Sequence, residues 1–173
     1  MTEESKRRIT WGLLLFLGAL GSASMRNNPA LGITPLAVAV IEGIIYMCLL
    51  YAVRLSGWKM AALIAVITPV YLWGQRFLDG FMIPVEVLVN LTLIVCMCAV
   101  LRLRWHYGFK VILLAGSAVL AMLLCRTTAL WIGKEENLLR ALIFAWNTDI
   151  YSYLSLLGAV LLSIPANRNK ARE

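Results

Sequence analysis

Apolar stretches of membrane-spanning length recur along the whole chain, and no other feature limits its fold as tightly. The hydrocarbon core of a bilayer takes about 20 residues of helix, with a range of ~17–25. Six such stretches are read here, at about 9–25, 31–53, 58–74, 81–101, 109–132 and 138–164. Pro69 lies inside the third, and the last two are long enough to tilt or to contain a break. Hydrophobic residues make up 61% of the 173 and charged residues only 14%. A soluble domain runs nearer 45–50% and roughly 25%. The expectation is therefore an all-α, polytopic membrane bundle of six transmembrane helices, with residues 1–173 as a single integral membrane domain. Lys6, Arg7 and Arg8 ahead of the first run have the look of a signal peptide. Five further apolar segments follow, so that run is read as the first membrane helix.

Orientation follows from Lys and Arg in the short loops. With the N-terminus inside, the cytoplasmic side holds Lys6, Arg7, Arg8, Arg54, Lys59, Arg102, Arg104, Lys110, Arg168, Lys170 and Arg172. The outer side holds Arg26, Arg76, Arg126, Lys134 and Arg140, which makes eleven against five and accounts for all sixteen. Both termini are thus expected in the cytoplasm of a cell whose inner membrane the chain crosses several times. The formal charge of +7 is a topology signal. The basic residues flank membrane segments and do not gather on one face, so no nucleic-acid partner is called for.

Cys48, Cys96, Cys98 and Cys125 all fall inside expected helices, and none has zinc-type spacing with the single His106. Buried apolar cysteine is the reading. No phosphate-binding glycine loop, metal-binding His pair or nucleophile elbow is present, so neither a metal nor a cofactor is expected.

Ionisable groups inside a membrane cost roughly 2.5–3.5 kcal/mol each on insertion scales, so each is read individually. Glu42 lies near the middle of the second segment. Glu86 lies about one turn into the fourth, and Asn90 follows on the same helix face. Arg126 closes the fifth beside Thr127 and Thr128, and Gln75 and Arg76 close the third. In the sixth, Asp149 has Trp146 and Tyr153 on its face and Asn147 beside it. Even-numbered segments run outside to inside and carry their polar groups early; odd-numbered ones run the other way and carry theirs late. Both place the polar groups in the outer half of the membrane. A pocket opening outward is one reading of this asymmetry. A structural network of Glu86, Asp149 and Arg126 is the other. Three acids against two arginines favours a ligand with an amine, a cationic group or hydrogen-bond donors.

The first segment carries no charge and reads Gly18-Ala19-Leu20-Gly21-Ser22-Ala23-Ser24. Ala19 with Ala23, and Gly18 with Ser22, are small-xxx-small pairs that allow close helix approach. The approaching helix belongs either to this chain or to another subunit.

On these residues the chain resembles the substrate-binding S-components of energy-coupling-factor (ECF) transporters, which have about this length and six helices. Ala19-Leu20-Gly21-Ser22-Ala23 is similar to the Ala-xxx-Ala pair by which their first helix docks on a coupling subunit. The stretch 83–90 looks like their fourth helix, and Trp146-Asn147-Thr148-Asp149-Ile150-Tyr151 with Leu157-Gly158-Ala159 looks like their sixth. The resemblance implies a non-enzymatic subunit that captures a vitamin-like small-molecule nutrient on the outer side. It implies a transmembrane coupling subunit and, through it, two ATPase subunits as partners. Glu42, Glu86, Asn90, Arg126, Trp146, Asn147, Asp149 and Tyr153 are the expected ligand-binding residues. Gly18, Ala19, Ser22 and Ala23 are the expected docking residues. The competing reading is a scaffold subunit of a larger complex, similar to the cell-shape protein MreD. A membrane enzyme using Glu42, Glu86 or Asp149 is a weaker rival, since no second catalytic element accompanies them. A channel is weaker too, without a ring of like charges.

Overall fold

The computed structural model describes residues 2–25, 34–76, 78–103, 106–133, 137–148 and 150–164. Among them are seven α-helices, in chain order α1 (Glu3–Met25), α2 (Pro35–Leu55), α3 (Trp58–Gly74), α4 (Ile83–Arg102), α5 (Tyr107–Gly133), α6 (Leu138–Thr148) and α7 (Ile150–Ser163). A single 3-10 turn, Gly80–Met82, leads into α4. The expected Asp149 lies outside the described residues, as do Arg26, Arg104, Lys134, Arg168, Lys170 and Arg172 of the charge pattern.

The ends of the helices follow local chemistry. α1 begins six residues before its apolar run. Glu3 and Glu4 sit in its first turn, where they favour the helix dipole, and they pair with Lys6 at 2.9 Å and Arg8 at 2.7 Å. α2 starts at Pro35, with the Thr34 side chain accepting from the Ala37 amide at 3.3 Å. Gly57 takes φ 99° in the tight turn to α3, a conformation that a residue with a Cβ rarely adopts. The sixth expected segment is described as α6 and α7, on either side of residue 149. The Trp146 and Tyr153 ring centres lie 5.5 Å apart.

α2, α3, α4, α5 and α7 pack each on the next, and α7 closes back on α2. α1 lies outside this ring against α2 and α3, and α6 lies outside it against α5. Leu49, Leu50, Ile64, Leu93, Met97, Leu114, Met122 and Leu156 fill the ring and are fully buried. Leu49, Leu50, Ile64, Met97 and Leu114 lie toward the ends that carry Arg54, Lys59, Arg102 and Lys110. At that end, Tyr51 of α2 and Tyr107 of α5 donate to the Leu162 and Leu161 carbonyls at 3.0 and 2.9 Å. Carbonyls in a helix's last turn have no partner within the helix, so these two hydroxyls cap α7. Small residues set the crossings. Gly43 meets α7 so closely that a Cβ there would lie 3.3 Å from the Ser155 Cβ.

The outer surface is apolar. Leu36, Val95, Ile112, Leu120 and Leu162 all project outward, and Ile112 is 71% exposed. Four helices, α1, α2, α4 with its 3-10 turn, and α5, are long and apolar enough to cross a membrane. α3, α6 and α7 are apolar but shorter. Such a surface, too large and too continuous for water, marks a membrane protein with transmembrane helices.

Candidate functional site

The half of the ring away from the basic ends holds a cavity of about 330 Å³. Every helix of the ring contributes to it. α2 brings Glu42 and Tyr46, α3 brings Thr68, α4 brings Glu86 and Asn90, α5 brings Arg126, and α7 brings Ser152. Val38, Ile45, Pro69 and Leu72 form apolar wall, while Leu78 and Met82 stand at the α3–α4 connection. From Met82 to Asn90 the cavity follows α4 for eight residues, or about 12 Å.

Three polar contacts organise the lining. Arg126 Nη2 donates to Glu86 Oε1 at 2.7 Å, with side-chain exposures of 9% and 13%. The Ser152 hydroxyl donates to Glu42 Oε2. Asn90 Nδ2 donates to the Ala65 carbonyl at 3.4 Å. This last bond is explained by Pro69. A proline has no N–H, so within α3 the carbonyl four residues earlier, that of Ala65, loses its helical donor. In lipid such a freed group must be satisfied from elsewhere in the protein. The Asn90 amide supplies the donor across the α3–α4 contact. Because Ala65 offers an acceptor, the amide nitrogen has to face it, and Oδ1 is turned the other way. Asn90 Oδ1 and Thr68 Oγ1 are both buried and have no hydrogen-bond partner among the described residues. A threonine hydroxyl inside a helix ordinarily bonds back to a carbonyl one turn earlier, and that of Thr68 does not.

Of the expected ligand-binding residues, Glu42, Glu86, Asn90 and Arg126 come together in this cavity. Trp146 and Asn147 do not; both are exposed on α6. Tyr153 is buried, with its hydroxyl 3.4 Å from the Ala145 carbonyl and its ring on Trp146, and it does not line the cavity. Asp149 lies outside the described residues. Tyr46, Thr68 and Ser152 line the site although the sequence reading passed over them. Tyr46 follows Glu42 by one helical turn, and Thr68 adjoins the helix-interior proline, so each had a local signal. Arg76 is exposed, with φ 62° at the end of α3, and Thr128 donates to its own helix at the Leu124 carbonyl.

The small-residue face of α1 is taken by the chain itself. Ala19 and Ala23 are fully buried and Ser22 is 7% exposed. Ala23 packs with Ile41, Ile45, Tyr71 and Leu72, and a Cβ on Gly18 would lie 3.4 Å from Cys48 Sγ. Ala19, Ser22 and Ala23 therefore serve close packing of α1 within the chain, while Gly18 is half-buried beside Cys48.

Two further grooves, of about 430 and 470 Å³, open on the outer surface between α4 and α5 and between α2 and α7. Apolar side chains dominate both, as suits lipid chains. No cluster of three or more His, Cys, Asp or Glu able to hold a metal occurs among the described residues. No family model, curated protein or solved structure matches the chain.

Proposed function

We propose that this chain is a multi-pass inner-membrane protein that captures a small water-soluble nutrient in the five-helix cavity, as the substrate-binding subunit of an ECF-type importer. In this reading the chain spans the membrane six times, with α6 and α7 together making the sixth span and both termini cytoplasmic. The cavity then faces outward, since the helix ends flanked by Arg54, Lys59, Arg102 and Lys110 are the cytoplasmic ones. The chain has no catalytic role. It hands its ligand to a coupling subunit driven by two ATPases. The burial of Ala19 and Ala23 removes them as the docking surface, so the proposal assigns docking to no residue.

One observation carries the reading: seven polar side chains from all five ring helices converge on one cavity, at one end of a bundle otherwise packed with apolar groups. Burying that many polar groups in a membrane protein is expensive and marks a functional site by default. A volume of about 330 Å³ falls at the lower end of the roughly 300–1,000 Å³ typical of small-molecule pockets.

A structural scaffold subunit is the second reading, and the Glu86–Arg126 pair favours it, because that pair satisfies itself at 2.7 Å without a ligand. Thermal unfolding of the purified protein against a panel of water-soluble vitamins and related nutrients separates the two. Capture predicts that one compound raises the unfolding midpoint, and that Glu42→Gln removes the response. If the whole panel leaves the midpoint unchanged, the scaffold reading takes its place.

A further inference from the structure

The groove of about 470 Å³ between α2 and α7 has the dimensions of a hydrocarbon chain. Its α7 wall runs from Tyr151 to Leu162, a length of about 16 Å. One leaflet of a bilayer has a hydrocarbon depth of about 15 Å, half of the full core. Over that length the volume gives a trough of about 30 Å² in section. A helix with its side chains is about 10–12 Å across, or roughly 80–110 Å². The trough therefore takes a hydrocarbon chain and is too narrow to seat a helix. Gly158 keeps it open, since a Cβ there would meet nothing within 4 Å. The Ser155 hydroxyl in its wall donates to the Ser152 carbonyl at 2.8 Å and asks for no partner from an occupant.

One end of the groove is charged. Tyr51 donates to the Leu162 carbonyl at 3.0 Å, which sets these two residues at one level. Arg54 lies three residues further along α2, about 4.5 Å beyond that level. Leu36 and Arg54 stand about five helical turns apart, so Arg54 shares the α2 face that carries Leu36, Val40 and Met47 into the groove. Arg54 is exposed and makes no ion pair or hydrogen bond among the described residues. The carboxylates of Glu3 and Glu4 are engaged by Lys6 and Arg8 within α1. Carbonyls at the end of α7 would repel an anion, but those of Leu161 and Leu162 are already bonded to Tyr107 and Tyr51.

We infer that the α2–α7 groove holds one acyl chain of an anionic phospholipid from the leaflet at the Arg54 end, with its phosphate against the Arg54 guanidinium. This site is separate from the five-helix cavity and does not depend on the capture reading. Chain and headgroup are recognised by different parts: the trough fits the chain, and the guanidinium gives several donors to phosphate oxygens. A zwitterionic headgroup brings its own cation, which competes with Arg54 for that phosphate.

Native mass spectrometry of the full-length protein, released from detergent micelles, tests the site. The probes are dioleoylphosphatidylglycerol and dioleoylphosphatidylcholine, which share their chains and differ in headgroup charge. One phosphatidylglycerol is expected to stay bound per protein, roughly tenfold tighter than phosphatidylcholine, the effect of one hydrogen bond to a charged group. Arg54→Gln should remove that preference. Arg102→Gln, an exposed cation on α4 at the same end, should leave it in place. Gly158→Leu fills the trough and should release both lipids, and the smaller Gly158→Ala should weaken both. Equal retention of the two lipids by the unaltered protein overturns the inference. Equal loss of preference in Arg54→Gln and Arg102→Gln overturns it too, because the attraction then belongs to the whole basic rim. Phosphatidylglycerol binding unchanged in both folded Gly158 variants overturns the placement of the chain. A dimer that Gly158→Leu dissolves, with no lipid retained, would give the groove to a second copy of the chain and overturn the inference as well.

Discussion

Asn90 on α4 gives its side-chain amide to the Ala65 carbonyl on α3, the one backbone acceptor that Pro69 leaves without its helical donor. The bond is long at 3.4 Å, and interhelical bonds of this kind are worth about 0.6 kcal/mol on average in membranes and up to ~1.7. Asn90→Leu should therefore destabilise the protein by about 1 kcal/mol. Pro69→Ala restores an N–H to Ala65, so the same Asn90→Leu change should cost distinctly less in that background. Unfolding of the four proteins in mixed micelles measures the coupling; strictly additive costs would mean that the proline and the asparagine are unrelated.

The Glu86–Arg126 pair ties α4 to α5 with both side chains nearly buried. Removing one partner of such a pair leaves a lone buried charge and costs about 3–5 kcal/mol. Arg126→Met and Glu86→Gln should each destabilise, and the double variant should be more stable than Arg126→Met alone. A double variant that loses the sum of the single effects would show that the two side chains do not depend on each other.

The α1 face gives a sharper contrast. Ala19 and Ala23 are buried within the chain, so Trp at either position overpacks the contact with α2 and α3. Such overpacking costs typically about 1–3 kcal/mol. Ala19→Trp is expected to lower the unfolding midpoint of the isolated protein, whereas Leu17→Trp, on the exposed side of the same helix, leaves it nearly unchanged. Equal midpoints for the two variants would place the small-residue face outside the fold.

Gly43 sets the distance between α2 and α7, which carry Glu42 and Ser152. Gly43→Val pushes its side chain into Ser155 and should separate the two helices. Ligand affinity, once a ligand is in hand, should fall by more than the stability loss alone explains. Affinity unchanged in a folded Gly43→Val protein would detach the α2–α7 spacing from the site.

Much of the architecture was legible in the sequence, because a membrane helix states itself through length and composition. α3 forms over the residues expected, and α1, α2, α4 and α5 differ only at their ends. Glu42, Glu86, Asn90 and Arg126 could be picked out singly, since charge and amide groups are conspicuous in lipid. Their convergence depends on how five helices rotate against each other, which no local pattern encodes. For the same reason Ala19 and Ala23 announced a packing face without saying which helix it meets. Thr68 and Ser152 stayed hidden because a hydroxyl in a membrane helix usually bonds to its own backbone.

The polar cavity is expected to reach water on the side opposite the basic helix ends. Substituted-cysteine labelling tests it in intact cells, in a background with Cys48, Cys96, Cys98 and Cys125 replaced. A membrane-impermeant thiol reagent is expected to modify Met82→Cys and Leu72→Cys, both part-exposed on the cavity wall, from outside, and to leave the fully buried Leu93→Cys untouched. Labelling of Met82→Cys and Leu72→Cys only after the cytoplasmic face is opened, or equal protection of all three positions, would contradict an outward-facing cavity.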